Sequence, residues 1–225
     1  MYFVAVALTA SELVSGPDGS GNKRSTVYSV AKSGGTPVPI AGPIAGGDPA
    51  VDGRSVYWVS VPDGQGYYST STSIMRTDRD GTTTRLAAVT GYVERLAFFE
   101  NRLYWVASGF HGAEYICVAC DTPSIVQSKG SGDLAPMTEV TLAAGALIHD
   151  AIIDPTGLWL SLEGTRSGVG VDYPPNDDHT GALVHVPAGG APATVLTGLP
   201  FTSDLSADDT TVFATGDTTP QLVAK

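Results

Sequence analysis

The chain has 225 residues, which is long enough to bury the core of one large all-β domain. Its 27 glycines and 15 prolines favour many tight turns, and no apolar run reaches the length that a membrane crossing requires. A net charge of −11 disfavours a nucleic-acid backbone or an anionic membrane as partner, and favours cations, basic proteins or neutral ligands.

One aromatic pattern recurs along the chain. It is clearest at 55–60 (Ser-Val-Tyr-Trp-Val-Ser) and at 102–107 (Arg-Leu-Tyr-Trp-Val-Ala), with weaker copies at 1–5, 157–161 and 211–215. The copies are 55, 47, 55 and 54 residues apart when they are aligned on Tyr2, Tyr57, Tyr104, Trp159 and Phe213. A strand-rich repeat of about 40 to 50 residues is typical of propeller blades. The segment 2–10 resembles a signal-peptide core, but no basic residue precedes it, so we expect a mature strand.

Each repeat divides into four predicted strands, A to D, of which the aromatic strand is B. Strand C is expected at 27–32, 74–77, 115–118, 183–186 and 221–225, and strand D at 38–40, 84–86, 140–142 and 194–196. Strand A opens the next repeat at 49–51, 96–98, 151–153 and 205–207. Between C and D lie Gly-Gly or Asp-Gly turns, which favour tight hairpins because their central residues need positive φ. Helix content should be very low, since no long stretch has a 3.6-residue apolar period.

These elements predict a single all-β domain, a β-propeller of about five four-stranded blades at 1–46, 47–91, 92–147, 148–200 and 201–225. The first blade lacks strand A and the last lacks strand D. In a closed propeller, strands from the two ends of the chain usually complete one blade together. Here both ends supply strands B and C, so they do not complete a blade. We expect the chain to be part of a larger propeller; the alternatives are irregular closure and completion by another copy, that is, self-association through the incomplete seam.

The chain resembles Tyr-Trp-rich bacterial propellers related to the TolB-like and YWTD-type families. The residues that carry the resemblance are Val56-Tyr-Trp58, Ile74-Met-Arg-Thr-Asp-Arg-Asp-Gly81 and Leu103-Tyr-Trp105. It departs from YWTD propellers where Val-Ser and Val-Ala follow Tyr-Trp, so the polar network of that family is not carried over. The resemblance implies a platform that binds proteins, peptides or sugars, and less often a hydrolase or lyase; the fold alone does not decide.

Four carboxylates occupy similar places in their repeats, just before strand A. They are Asp48, Glu94, Asp150 and Asp204. The D–A connections of a propeller open on one mouth of the central channel, so these side chains could form an acidic ring. Such a ring could hold a hard cation such as Ca²⁺, which prefers six to eight oxygen ligands. The alternative is that each carboxylate accepts hydrogen bonds from backbone N–H groups of its own turn.

The predicted B–C connections are long and share that face, where binding residues concentrate on a rigid scaffold. They cover 9–25, 61–72, 107–114 and 163–181. Two contain Pro-Asp-Gly, and the fourth contains the polar cluster 172–179. Either feature could instead be an ordinary turn or a solvated loop. The candidate ligand-binding residues are Asp63, Tyr67, Tyr68, His111, Asp172, Tyr173, Asp178 and His179.

Cys117 and Cys120 form a Cys-x-x-Cys pair in a predicted strand C. Haem attachment would need a histidine next, and residue 121 is Asp. Residues i and i+3 of a regular strand point to opposite faces, so a disulfide requires the chain to turn at Cys120. A small-loop disulfide, free thiols and a metal site remain open. A disulfide would support an oxidising compartment.

Catalysis has little support in the sequence. There is no Gly-x-Ser-x-Gly elbow, and the Gly-Gly pairs are not followed by a helix. His111, His149 and His179 lie near the acidic mouth and could serve acid–base work, whereas His185 in strand C should be structural. We therefore expect a secreted, periplasmic or cell-surface propeller that binds a protein, peptide or glycan. A metal-assisted hydrolase or lyase and a subunit of a surface assembly are the alternatives.

Overall fold

A computed structural model describes most residues of the chain. They are 2–7, 13–15, 21–23, 25–31, 34–44, 49–60, 71–108, 124–142, 148–162, 181–188, 190–199, 204–215 and 221–225. Within these ranges the secondary structure is entirely β, with twenty strands. The same ranges include no helix of the length and apolar character that a bilayer crossing needs.

The strands follow the predicted repeat. Blade 1 contains β1 (Tyr2–Ala7), a small hairpin of β2 (Leu13–Ser15) and β3 (Gly21–Lys23), then β4 (Ser25–Ala31) and β5 (Val38–Ile44). Blade 2 contains β6 (Ala50–Val51), β7 (Ser55–Ser60), β8 (Ser71–Asp78) and β9 (Thr83–Thr90). Blade 3 contains β10 (Tyr92–Phe99), β11 (Arg102–Ser108), β12 (Ile125–Gly130) and β13 (Met137–Thr141). Blade 4 contains β14 (Ile148–Asp154), β15 (Gly157–Leu162), β16 (Gly181–Pro187) and β17 (Ala193–Leu199). Blade 5 contains β18 (Asp204–Ala207), β19 (Thr211–Thr215) and β20 (Gln221–Ala224).

Sheet order confirms the predicted fold class. Blades 2, 3 and 4 each form a four-stranded sheet in the order A-B-C-D. The first sheet is β1-β4-β5, without a strand A, and the last is β18-β19-β20, without a strand D. Neighbouring strands pair antiparallel, as β7 does with β8 and β15 with β16. The described strands thus form an all-β propeller of five blades, of which the first and last have three strands each instead of four.

The prediction for strand C of blade 3 was wrong. It was placed at 115–118, but the third strand of that sheet is β12, about ten residues later. The segment was missed because its buried positions alternate between Val126 and a serine, Ser128, which are 1% and 0% exposed. Ser128 is tolerated there because the Arg102 guanidinium donates to its Oγ from 3.1 and 2.7 Å. The B–C connection of blade 3 therefore covers 109–124 and includes the two cysteines, which lie outside the described residues.

Two compact units make up the chain. One comprises residues 1–107 and 127–137, and the other residues 108–126 and 138–225. In the first unit Val27 of blade 1 packs with Val56 and Trp58 of blade 2. In the second, the core joins blades 4 and 5 and consists of Trp159, Leu183, Leu199, Leu205, Val212 and Ala214. Apolar packing between consecutive sheets therefore builds the core of each unit.

The turns opposite the long connections are tight. Gly34, Gly35 and Gly81 have positive φ values of 88°, 131° and 86°. The two-residue hairpin predicted at Asp80-Gly81 is nevertheless wrong, because four residues, 79–82, join β8 to β9 and Asp80 does not have positive φ. Gly157, at the start of β15, has φ of 134°, and a Cβ there would lie 2.2 Å from the carbonyl oxygen of Val186. This position therefore accepts only glycine without a backbone shift.

Candidate functional site

The two ends of each blade differ in the length of their connections. The A–B turns span only two or three residues, at 52–54, 100–101, 155–156 and 208–210. The B–C connections of the first four blades span ten to eighteen residues, at 8–24, 61–70, 109–124 and 163–180. Because the strands of a blade alternate in direction, its B–C and D–A connections leave from the same end of that sheet. Each blade therefore has a compact turn end and an extended loop end.

All of the candidate ligand-binding residues belong to these B–C connections and lie outside the described residues. They are Asp63, Tyr67, Tyr68, His111, Asp172, Tyr173, Asp178 and His179. Asp48, Cys117 and Cys120 also lie outside, and of Glu94 the structure describes only the backbone, in β10. The described part of the predicted site consists of His149, Asp150 and Asp204, at the loop ends of blades 4 and 5.

Asp150 is buried between blades 4 and 5, with 3% of its surface exposed. One carboxylate oxygen accepts the N–H of Ala151 at 2.8 Å, and the other accepts the N–H of Leu205 at 2.8 Å. Leu205 belongs to strand A of the next blade, 55 residues further along the chain. Hydrogen bonds to a charged acceptor are among the stronger ones in proteins. Asp150 thus latches blade 4 to blade 5 through Leu205, and its bond to Ala151 is a local backbone bond of the kind expected in the second alternative.

His149 and Asp204 form a second link between blades 4 and 5. Nε2 of His149 lies 3.4 Å from Oδ1 of Asp204, and their side chains are 29% and 81% exposed. His149 lies where the register of β14 with β15 shifts, between the pairs Ile148–Leu162 and Asp150–Ser161. Such an irregularity redirects a side chain at the end of a strand. The pair is therefore open to solvent at the end of the blade from which 163–180 departs.

The four candidate metal ligands are only partly placed. Asp150 and Asp204 lie on β14 and β18, the first strands of consecutive blades, but Asp150 already uses both oxygens on backbone N–H groups. Within the described residues, no group of three or more His, Cys, Asp or Glu side chains could hold a metal ion. Thr215 donates from Oγ1 to the backbone carbonyl of Asp204 at 3.4 Å and so positions the start of β18.

His185 has the structural role expected from its place in strand C. Its ring stacks on Trp159 with 4.1 Å between centroids and 15° between planes. Its Nε2 lies 3.1 Å from the carbonyl oxygen of Thr156, which can only accept a hydrogen bond, so this nitrogen carries the proton. The Trp159 indole in turn donates to Thr156 Oγ1 at 3.1 Å.

A different set of aspartates, which the sequence analysis did not single out, organises the turn ends. Asp52, Asp154 and Asp208 each open an A–B turn, and each lies five residues before the strand-B aromatic of its blade. Asp52 Oδ1 accepts the N–H groups of Arg54 and Ser55, both at 2.7 Å. Asp154 and Asp208 accept N–H groups of their own turns in the same way. The constant offset was the signal in the sequence that could have identified them.

Burial and hydrogen bonding shift the pKa values of Asp154 in blade 4 and of Tyr57 in blade 2. Partial burial opposes ionisation of Asp154, but hydrogen bonds from Lys225 and Thr156 outweigh it and lower its pKa. The Lys225 ammonium lies 2.5 Å from Asp154 Oδ2, and the two side chains are 8% and 14% exposed. In blade 2, burial together with donation of its hydroxyl to Asp52 raises the pKa of Tyr57 to about 12. These groups stabilise the turn ends of blades 2 and 4.

No family model matches the sequence, and comparison with curated proteins gives no match. Among solved structures, the acylaminoacyl peptidase of Pyrococcus horikoshii is 9% identical, with a TM-score of 0.53, over 95% of this chain and 33% of that chain. A variant of Synechocystis apocarotenoid oxygenase is 10% identical, with a TM-score of 0.43, over 91% and 57% of the two chains. An ACO/RPE65 chimera is 12% identical, with a TM-score of 0.45, over 89% and 57%. The chain spans between a third and three fifths of these proteins. At 9% identity the likeness to the peptidase concerns the fold alone.

Proposed function

We propose that the chain is a binding module whose loop ends meet a protein, peptide or glycan. The observation that supports this is the difference between the two ends of each blade. Every A–B turn is held within two or three residues, whereas four B–C connections extend for ten residues or more. Long connections on a rigid scaffold are where binding residues concentrate. Their tyrosines, Tyr67 and Tyr68, are of the amphipathic type enriched in contact surfaces.

The rest of the proposal follows from composition and resemblance. An acidic balance favours a basic or neutral ligand, and we propose an extracytoplasmic location, where a disulfide between Cys117 and Cys120 would form. We also propose kinship with the TolB-like and YWTD-type propellers. Calcium at Asp48, Glu94 and Asp204 is a further proposal, because carboxylates provide the oxygen ligands that this ion prefers.

A direct test is an array of glycans and peptides probed with the labelled chain. The double variant Tyr67→Ala/Tyr68→Ala should lose the binding of the wild-type chain. A matched control, Asp209→Asn, changes an exposed residue of an A–B turn at the other end of its blade and should bind as the wild type does. Equal loss of binding in both variants, with both folded, would contradict a role for the loop ends.

One observation favours hydrolysis as a second candidate. The His149–Asp204 pair lies at the loop end, and an imidazole beside a carboxylate can take a proton from an attacking water, which is the work of a general base. Hydrolysis of chromogenic ester and glycoside substrates should then depend on His149 and fall in the His149→Gln variant. Absence of turnover across these substrates, with and without calcium, would remove this candidate and leave the binding module unaffected.

A further inference from the structure

Met137 is an exposed thioether beside a cationic side chain. It is the first residue of β13, at the end of the C–D turn of blade 3, and 53% of its surface is exposed. Its Sδ accepts a hydrogen bond from Nη2 of Arg102 at 3.3 Å. The sequence has two other methionines: Met1 lies outside the described residues, and Met75 is half-buried in β8. Met137 is therefore the described methionine that is more open to solvent.

Arg102 is held in place by residues other than Met137. Its Nε and Nη2 donate to Oγ of the buried Ser128 at 3.1 and 2.7 Å. Nη2 also lies 3.0 Å from Oδ2 of Asp133. This carboxylate oxygen accepts the N–H of Gly130 at 2.8 Å, and the N–H of Asp133 donates to the carbonyl of Gly130 at 3.2 Å. The guanidinium is thus fixed beside Sδ by a turn that has its own hydrogen bonds.

Oxidation of the sulfur strengthens the contact between Met137 and Arg102. A thioether is a weak hydrogen-bond acceptor, whereas methionine sulfoxide is polar and carries an oxygen. Hydrogen bonds from a charged donor are among the stronger ones in proteins. A guanidinium has five N–H donors, so Arg102 can bind a sulfoxide oxygen and still keep Ser128 and Asp133. At this position oxidation therefore adds a strong bond, whereas in an apolar core it disrupts packing.

We infer that Met137 is an oxidation site for hydrogen peroxide, and that Arg102 binds the sulfoxide formed there. A lone pair of Sδ attacks one oxygen of the peroxide, so that an S–O bond forms and the O–O bond breaks. The departing hydroxide takes the proton of the transferred hydroxyl, and the products are methionine sulfoxide and water. Sulfur loses two electrons, and the peroxide gains them. The turn from β12 to β13 is then closed more firmly, because a charge-assisted bond joins β11 to the start of β13.

Peptide mapping by mass spectrometry, after timed exposure of the full chain to hydrogen peroxide, tests the first step. We expect the sulfoxide of Met137 to accumulate about tenfold faster than that of Met75, since susceptibility follows exposure. Met75 packs against the core formed by Val27, Val56 and Trp58. In urea the two rates should agree within about twofold, because both side chains are then exposed. Equal rates in the folded chain, or the same difference in urea, would overturn the inference.

Hydrogen exchange followed by NMR tests the second step at the N–H groups of Gly130 and Asp133, which bond within the turn. Oxidation should slow their exchange by about threefold or more, because opening the turn then breaks an additional charge-assisted bond. Met137→Gln carries a carbonyl acceptor on a chain of similar length and should slow the exchange without peroxide. Met137→Leu offers no acceptor and is the matched control, in which the same exposure to peroxide should leave the exchange unchanged.

Unchanged or faster exchange of these two groups in the oxidised wild type would overturn the role of Arg102. So would an equal response in Met137→Leu, because that variant has no sulfur to oxidise at this position. The turn lies at the end of blade 3 opposite to its B–C connection, so ligand binding at the loop ends is a separate measurement.

Discussion

Replacement of Asp150 by Asn tests whether this carboxylate latches blade 4 to blade 5. The side chain is 3% exposed, and its two oxygens accept the N–H groups of Ala151 and Leu205, both at 2.8 Å. Asparagine keeps one acceptor and turns an NH₂ group toward the other N–H, so one bond is lost and one buried donor is left facing another donor. Since hydrogen bonds to a charged group contribute about 1.5–3 kcal/mol, we expect a loss of about 2–3 kcal/mol in the free energy of unfolding.

Urea denaturation at neutral pH measures this loss. With a slope of about 2–3 kcal/mol per molar, the midpoint should fall by roughly 1 M. Asp204→Asn is the control, because Asp204 lies 54 residues later at the matching place in the repeat but has an exposed side chain; it should cost less than about 0.5 kcal/mol. Amide exchange at Leu205 should accelerate in Asp150→Asn alone. An effect below 0.5 kcal/mol, or one that appears only when calcium is present, would refute the latch.

Three further predictions concern single interactions. Thr77→Val removes the oxygen that accepts the buried Trp58 indole N–H at 3.0 Å, and should cost about 1–3 kcal/mol in urea unfolding; a neutral effect would contradict the bond. The pKa of Asp154 is lower in the folded protein than the unfolded value of about 3.9, so its ion pair with Lys225 contributes fully to the free energy of unfolding above that pH. This contribution is lost as the pH falls through the lower pKa of the folded state. Thermal unfolding below about pH 4 should therefore show a smaller pH dependence in Asp154→Asn than in the wild type, and parallel curves would exclude this assignment. The phenol of Tyr57 should ionise at about pH 12, and the ultraviolet titration step that disappears in Tyr57→Phe measures this pKa. Asp52→Asn should lower the pKa of Tyr57, because it removes the carboxylate to which the phenol donates. Ionisation of Tyr57 near pH 10 would show that the phenol is neither buried nor bonded to Asp52.

Most of the fold could be predicted from the sequence because each repeat shows both its apolar strands and the turn residues that separate them. Strand B is buried on both faces and is therefore an apolar and aromatic run, and the C–D turns carry glycines with positive φ. The failure in blade 3 has a physical cause. Ser128 is a buried polar residue whose partner, Arg102, lies on the neighbouring strand, and no pattern within one strand reveals such a pairing.

The site was less predictable because the same residue type serves different purposes at matching positions. Asp150 and Asp204 occupy the same place in consecutive repeats, yet one is buried under the next blade and the other is exposed. Spacing gave their position but not what covers each of them. The turn aspartates, such as Asp52, were visible in the sequence, but their hydrogen bonds to backbone N–H groups depend on turn geometry that spacing alone does not fix.

The central claim is that ligands meet the loop ends of the blades. Hydrogen exchange with mass spectrometry, on the full chain with the best ligand from the array, tests it most directly. The account predicts ligand-induced protection in 61–70, 109–124 and 163–180, and unchanged exchange in the A–B turns at 100–101, 155–156 and 208–210. Protection confined to those turns, with the B–C connections unchanged, would contradict it.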